Sequence, residues 1–226
     1  MPTSFSKLTL SLLISSALLP LTSQAADFTI VNGQTVTTQQ SLTANETGVV
    51  ETGGTIDVSG SSGIDANGTN TTITNSGTIS VNGNFGVRSS GTKATISNSG
   101  TITVSGFYSI FSSGDDTTIT NSGTITAVNN TGINSGGNRT TITNSGTITA
   151  GNNTGINSGG NNDTINNSGT ITVGADNGIY SFGNKATINN SGTITAGNDF
   201  GIFSNGATAI INNSGTITAA NYAINS

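Results

Sequence analysis

The segment Thr141-Ile142-Thr143-Asn144-Ser145-Gly146-Thr147-Ile148-Thr149 decides the fold. Its core phrase, Asn-Ser-Gly-Thr-Ile, begins at Asn75, Asn98, Asn121, Asn144, Asn167, Asn190 and Asn213, always 23 residues apart. A degenerate copy, Thr52-Gly53-Gly54-Thr55-Ile56, stands upstream. Self-similarity at a fixed short period predicts a stack of like units, each burying its apolar residues against its neighbours. Alignment at this period gives eight units across 48–226.

Three columns of this alignment are β-branched and apolar. The first runs from Val50 through Ile73, Ile142 and Ile211, the second from Ile56 through Ile148 to Ile217, and the third from Ile64 through Ile156 to Ile224. Each residue sits in an alternating phrase such as Thr141-Ile142-Thr143, and alternation with β-branched residues reads as strand. Recurring Gly and Asn, without a 3.6-residue apolar stripe, argue against helix. Three short strands per 23-residue coil, each pairing with its counterpart one coil later, give an all-β parallel β-helix, a solenoid of about eight coils. The coils should rise by ~4.8 Å each. The glycine columns through Gly77 and Gly146, and through Gly91 and Gly160, mark two corners, read as sites of positive φ. The Asn preceding each Ser-Gly is expected to stack as an asparagine ladder along the axis. Residues 26–47 lack the full pattern and are read as an N-terminal cap, with Thr35-Val36-Thr37 as one strand.

Residues 1–25 read as a signal peptide: Lys7, an apolar run from Leu8 to Leu21, and the small-x-small signal Ser23-Gln24-Ala25. Thr9, Ser11, Ser15, Ser16 and Pro20 interrupt the run, which falls short of the ~20 residues of a membrane span. The mature chain is expected to begin at Ala26, to be exported and to hold no membrane span. Without Lys7 it carries four basic residues (Arg88, Lys93, Arg139, Lys185) against ten acidic ones, a net charge of −6. Scattered basic groups make nucleic acid a poor partner. The chain has no Cys, so repetition rather than disulfide bonding must hold it together.

The phrase Thr-Ile-x-Asn-Ser-Gly-Thr-Ile-Thr, as in 118–126 and 141–149, resembles the passenger-domain repeats of Gram-negative autotransporters. The resemblance spans 48–226 and implies a right-handed β-helix at the cell surface or outer membrane, secreted or periplasmic at the least, acting as an adhesin or in aggregation and biofilm. No translocator-type run of alternating barrel strands follows the repeats in these 226 residues, so the whole sequence reads as passenger-like. The implied partners are glycans or proteins of a host or neighbouring cell, or further copies of the chain through the aromatic face or the last coil (Ile211, Ile217, Ile224).

No enzymatic constellation emerges. With no His or Cys, neither a serine- or cysteine-nucleophile system nor a His/Cys metal site can be assembled, and no catalytic residue, metal or cofactor is expected. Asp176 and Asp199 fall at the same position of adjacent coils, beside Tyr180, Phe182 and Phe203, with a second aromatic patch at Phe107 and Phe111. Stacked carboxylates near ~5 Å could serve a retaining glycosidase. Two solvated turn acids beside stacked rings is the plainer reading, and aromatics gathered on one face suggest partner contact. Paired Thr rows (Thr101/Thr103 to Thr216/Thr218) resemble an ice-binding array, although Thr is also an ordinary outward strand residue. The leading expectation is a non-enzymatic exported adhesin or self-association module. Ice binding and a polysaccharide-active β-helix enzyme are the alternatives.

Overall fold

The computed structural model describes residues 26–226; the signal peptide read at 1–25 lies outside the described residues. The described chain is all-β, with 27 short strands in three parallel sheets of nine. The first sheet runs from Phe28–Ile30 to Ile210–Asn213, the second from Thr35–Val36 to Thr216–Ala219, and the third from Gln40–Leu42 to Ile224–Asn225. One strand of each sheet makes one coil, and the chain winds through nine coils. The expected count was eight. The additional coil lies in 26–47, where Phe28–Ile30, Thr35–Val36 and Gln40–Leu42 each pair in parallel with a strand of the next coil.

Within the regular repeats the register places like over like. Ile142 pairs with Ile119 and Ile165, Ile148 with Ile125 and Ile171, and Ile156 with Ile133 and Ile179. All of these are fully buried, together with the small inward residues Val104, Ala127, Ala150 and Val173 at the ends of the second-sheet strands. The outward residues between them, such as Thr141 and Thr143, keep partial exposure. A side chain pointing inward meets its own copy one coil above and below, which is why a β-branched residue can repeat without a gap.

One column departs from the sequence reading. Val50 pairs with Asn75, not with Ile73, whose partner is Gly48. The turn from Val50 to Thr55 is two residues longer than its counterpart from Asn75 to Thr78, although Thr55 and Thr78 are themselves in register. The longer corner moves the preceding strand by two positions. A two-residue shift preserves the inward phase, so Val50 is still buried.

The corners fall where the glycines mark them, for a different reason. Among Gly residues, positive φ occurs only at Gly33, Gly53 and Gly60. The column glycines are needed because each lies directly under the backbone of the preceding coil. A Cβ on Gly160 would strike the carbonyl of Gly137, and one on Gly183 the carbonyl of Gly160. The left-handed conformation sits two residues later, on Asn70, Lys93, Asp116, Arg139, Asn162, Lys185 and Thr208, with φ of 56–60° at each. Arg139 also ties this column together. Its Nε donates to Asp116 Oδ1 at 2.7 Å, and the bond holds the Asp116 carboxyl below its ordinary range.

The asparagine ladder forms as expected, and it is buried. Each Nδ2 donates to the Oδ1 of the next coil, from Asn75 to Asn98 at 2.7 Å and onward through Asn121, Asn144, Asn167 and Asn190 to Asn213 at 2.7–2.8 Å. The two-residue shift at Val50 sets its beginning. With an apolar residue over Asn75, the Asn75 Oδ1 has no donor.

Candidate functional site: the outer face of the third sheet

The third-sheet side gathers every aromatic after Phe28 into two clusters. In the first, Phe85 stacks with Tyr108 (centroids 5.8 Å, interplanar angle 30°) and Tyr108 with Phe111 (5.7 Å, 15°), with Phe107 beside them. In the second, Tyr180 stacks with Phe203 (5.2 Å, 14°) and Phe200 with Tyr222 (5.8 Å, 13°), while Phe182 tilts against Tyr180. For Phe85–Tyr108, Tyr180–Phe203 and Phe200–Tyr222 such spacing follows from parallel register, which holds equivalent positions ~4.8 Å apart. Tyr108 and Phe111 instead meet within one strand. Phe107, Phe182 and Tyr222 remain about half exposed or more. The sequence reading singled out Phe107, Phe111, Tyr180, Phe182 and Phe203. It did not bring out Phe85, Tyr108, Phe200 and Tyr222, which precede the inward residues and complete both stacks.

A single outward row links the clusters. The pairing reads Asp65, Arg88, Phe111, Asn134, Asn157, Tyr180, Phe203 and Asn225, one residue per coil. Arg88 closes one end with a 3.0 Å ion pair to Asp65.

Asp176 and Asp199 lie at the turn before the third-sheet strand, where coils five and six carry Asn130 and Asn153. Asn130 Oδ1 accepts the Thr131 amide and Asn153 Oδ1 the Thr154 amide, at 2.9 and 2.8 Å. Asp176 does the same for the Asn177 amide at 2.8 Å, and its other oxygen accepts the Thr154 hydroxyl. Asp199 accepts from Asn221 Nδ2 at 3.3 Å. Asp176 thus caps its turn in the way the neighbouring asparagines do, while Asp199 is tied to the last coil instead, both beside the aromatic cluster.

A second carboxylate environment was not legible as a site. Asp163 is only 1% exposed, under the corner that follows the third sheet. Its Oδ1 accepts the Thr140 amide at 2.9 Å, and its Oδ2 accepts the Ser158 hydroxyl. Two coils earlier in the same columns Ser112 donates to Thr117, and one coil earlier Ser135 donates to Thr140. Where the column holds Ala94, Ala186 or Ala209, the Ser89, Ser181 and Ser204 hydroxyls have no partner. Burial pushes the Asp163 carboxyl above its ordinary value, against the opposing pull of its hydrogen bonds from Ser158, Thr140 and Gly160. The folded chain therefore holds this proton more tightly than the unfolded chain. Its contribution to stability is complete below the ordinary Asp value of ~3.9 and is lost as pH rises through the raised folded value. Asp163→Asn keeps an acceptor for Thr140 without the buried charge. Its stability in urea, relative to wild type, should increase as pH is raised from about 4 to 7. A difference that stays flat or shrinks with pH would contradict this assignment.

The Thr pairs of the second sheet stack in register over six coils, from Thr101 and Thr103 to Thr216 and Thr218. The corresponding face of the first sheet ends in an outward ladder, with Asn189 Nδ2 donating to Asn166 at 2.8 Å and Asn212 Nδ2 to Asn189 at 2.9 Å. Among the described residues no helix is long and apolar enough to cross a membrane, and no three His, Cys, Asp or Glu side chains gather as metal ligands. Comparison of the chain with protein-family models, with curated proteins and with solved structures gives no match. What stands on geometry alone is a repeat-built parallel β-solenoid with an aromatic third face.

Proposed function

We propose that this chain is an exported, non-enzymatic surface protein that works as an adhesin or self-association module through the outer face of its third sheet. The observation that carries this reading is the confinement of nine clustered aromatics to one face of a rod, several of them half exposed. Large exposed apolar groups collected on one side are a common mark of partner contact, whereas scattered ones need no explanation. The leader-like residues 1–25 and the likeness of the repeats to autotransporter passengers support display at the cell surface. Glycans or proteins of another cell, or a second copy of the chain, are the candidate partners.

The test removes the exposed rings and leaves the core intact. Phe107→Ser, Phe182→Ser and Tyr222→Ser combined should abolish binding of the purified protein to cells, and any concentration-dependent sedimentation, with little change in thermal midpoint. Unaltered binding and sedimentation would overturn the reading.

The in-register Thr array favours one rival, binding to an ice surface. Thermal hysteresis that disappears with Thr147→Tyr, while persisting in the aromatic variant, would move the function to the second sheet.

A further inference from the structure

Coils five and six form a low polar stretch between the two aromatic clusters. On the outward row Phe111 and Tyr180 are three coils apart, about 14 Å along the axis, and Asn134 and Asn157 lie between them. The floor is lowest in coil five, where the position two residues beyond Asn134 is Gly136 and nothing covers it; in coil six the equivalent residue is Gly159. The Phe182 ring crosses the coil boundary and rests against Gly159, where an added Cβ would meet its ring atoms at 2.6 Å. Asn157 Oδ1 is buried in this stretch with no hydrogen-bond donor. That oxygen is closed to solvent and its burial costs stability, which leaves the Asn157 Nδ2, unbonded within the protein, as the amide group open to a ligand.

We infer that this stretch is a binding site for a neutral glycan, held between the Phe111 and Tyr180–Phe182 walls with its hydroxyls accepting from Asn157 Nδ2 and exchanging hydrogen bonds with Asn134. The inference rests on the contact role of the third sheet proposed above, and it narrows that role to one ligand class. Sugar rings present apolar faces to aromatic walls and hydroxyl edges to amides, and this site supplies both. Charge selects the neutral class. The row from Phe111 to Phe203 holds no charged side chain, Arg88 is paired with Asp65, and the Asp176 oxygens accept hydrogen bonds from the protein itself. With an unpaired carboxylate or phosphate, a ligand would meet no cation on that row; Lys185, three residues beyond Phe182, belongs to the following corner.

The purified chain is to be probed on an array of neutral oligosaccharides of glucose, galactose, mannose and N-acetylglucosamine, with hexagalacturonate as the anionic control. Binding to at least one neutral oligosaccharide is expected, and none to hexagalacturonate. Asn157→Ala and Phe182→Ala should each weaken it about tenfold or more, as loss of a central contact does, while Thr147→Ala on the second sheet changes nothing. Asn157→Ala should not lower the thermal midpoint, since it removes an unpaired acceptor. Absence of neutral-sugar binding, or binding indifferent to both variants, would overturn the inference. If cell binding or sedimentation still depends on Phe107, Phe182 and Tyr222 in that case, the third-sheet reading stands with a protein or a second copy as occupant. If neither depends on them, the broader reading falls as well.

Discussion

Ile142→Asp should abolish cooperative folding at room temperature, while Thr141→Asp, one residue away, should leave a folded rod. Ile142 has no accessible surface and meets Ile119 and Ile165 in its own sheet. A carboxylate there finds only hydrocarbon, and an uncompensated buried charge costs about 3–5 kcal/mol or forces protonation at a similar expense. In a stack each coil also depends on its neighbours, so the loss extends beyond one coil. Thr141 points outward and is partly exposed, and an Asp there faces only its lower strand propensity, about 1 kcal/mol or less. Thermal melts by circular dichroism decide the matter. Equal destabilisation by the two substitutions would contradict the inward phase of the first sheet.

An effect of similar size is expected at Gly183, and it separates two accounts of the corner glycines. Gly183→Ala places a methyl against the backbone carbonyl of Gly160, which cannot move without pulling its whole coil. About 3 kcal/mol or more of destabilisation should follow, the upper end of what overpacking produces. Lys185→Gly, two residues on, should instead hold or raise stability. Lys185 occupies the left-handed region at φ 56°, a conformation that disfavours most L-residues by roughly 1–2 kcal/mol and Gly not at all. If Gly183 were present for positive φ, its Ala variant would lose only about 1–2 kcal/mol, and Lys185→Gly would destabilise. Urea denaturation of both variants settles which reading is correct.

This reversal shows where sequence periodicity stops being informative. The Ile columns were legible because period-2 alternation and 23-residue recurrence constrain the same residues independently. The asparagine ladder was legible because a polar residue repeated over an apolar core must satisfy itself along the axis. Close approach and positive φ both demand Gly, so composition alone could not tell them apart. The conformation itself sits on Lys93, Asp116 and Arg139, residue types that do not announce it. Val50 was misaligned because Glu51–Gly54 lengthens one corner by two residues, a shift that leaves an apolar residue inward and so hides in the pattern. Asp163 was not legible as a buried group, since nothing in its local sequence reveals that the Thr column it interrupts is buried.

The aromatic face was half visible. Phe107, Phe111, Tyr180, Phe182 and Phe203 fell in neighbouring columns when the chain was aligned at 23 residues, with Tyr180 and Phe203 one period apart. Phe85 and Tyr108 also stand 23 residues apart and pair in the third sheet, and Phe200 and Tyr222 share their column once a one-residue deletion is allowed. The sequence reading nonetheless passed over all four. The recess between the clusters depends on what is missing from coils five and six, small residues where others carry rings. A motif search for ligand-binding side chains passes over such a gap.

The organisation of every face depends on like residues standing one coil apart, and electron–electron distance measurements test it most directly. The chain lacks Cys, so spin labels can be placed at will on the outward second-sheet row. Labels at Thr101 and Thr193 are separated by four coils, and labels at Thr78 and Thr216 by six. Narrow distance distributions centred about 10 Å apart are expected, two further rises of ~4.8 Å. Broad distributions, or a difference that does not follow the number of coils, would contradict the stacked solenoid and every assignment built on its register.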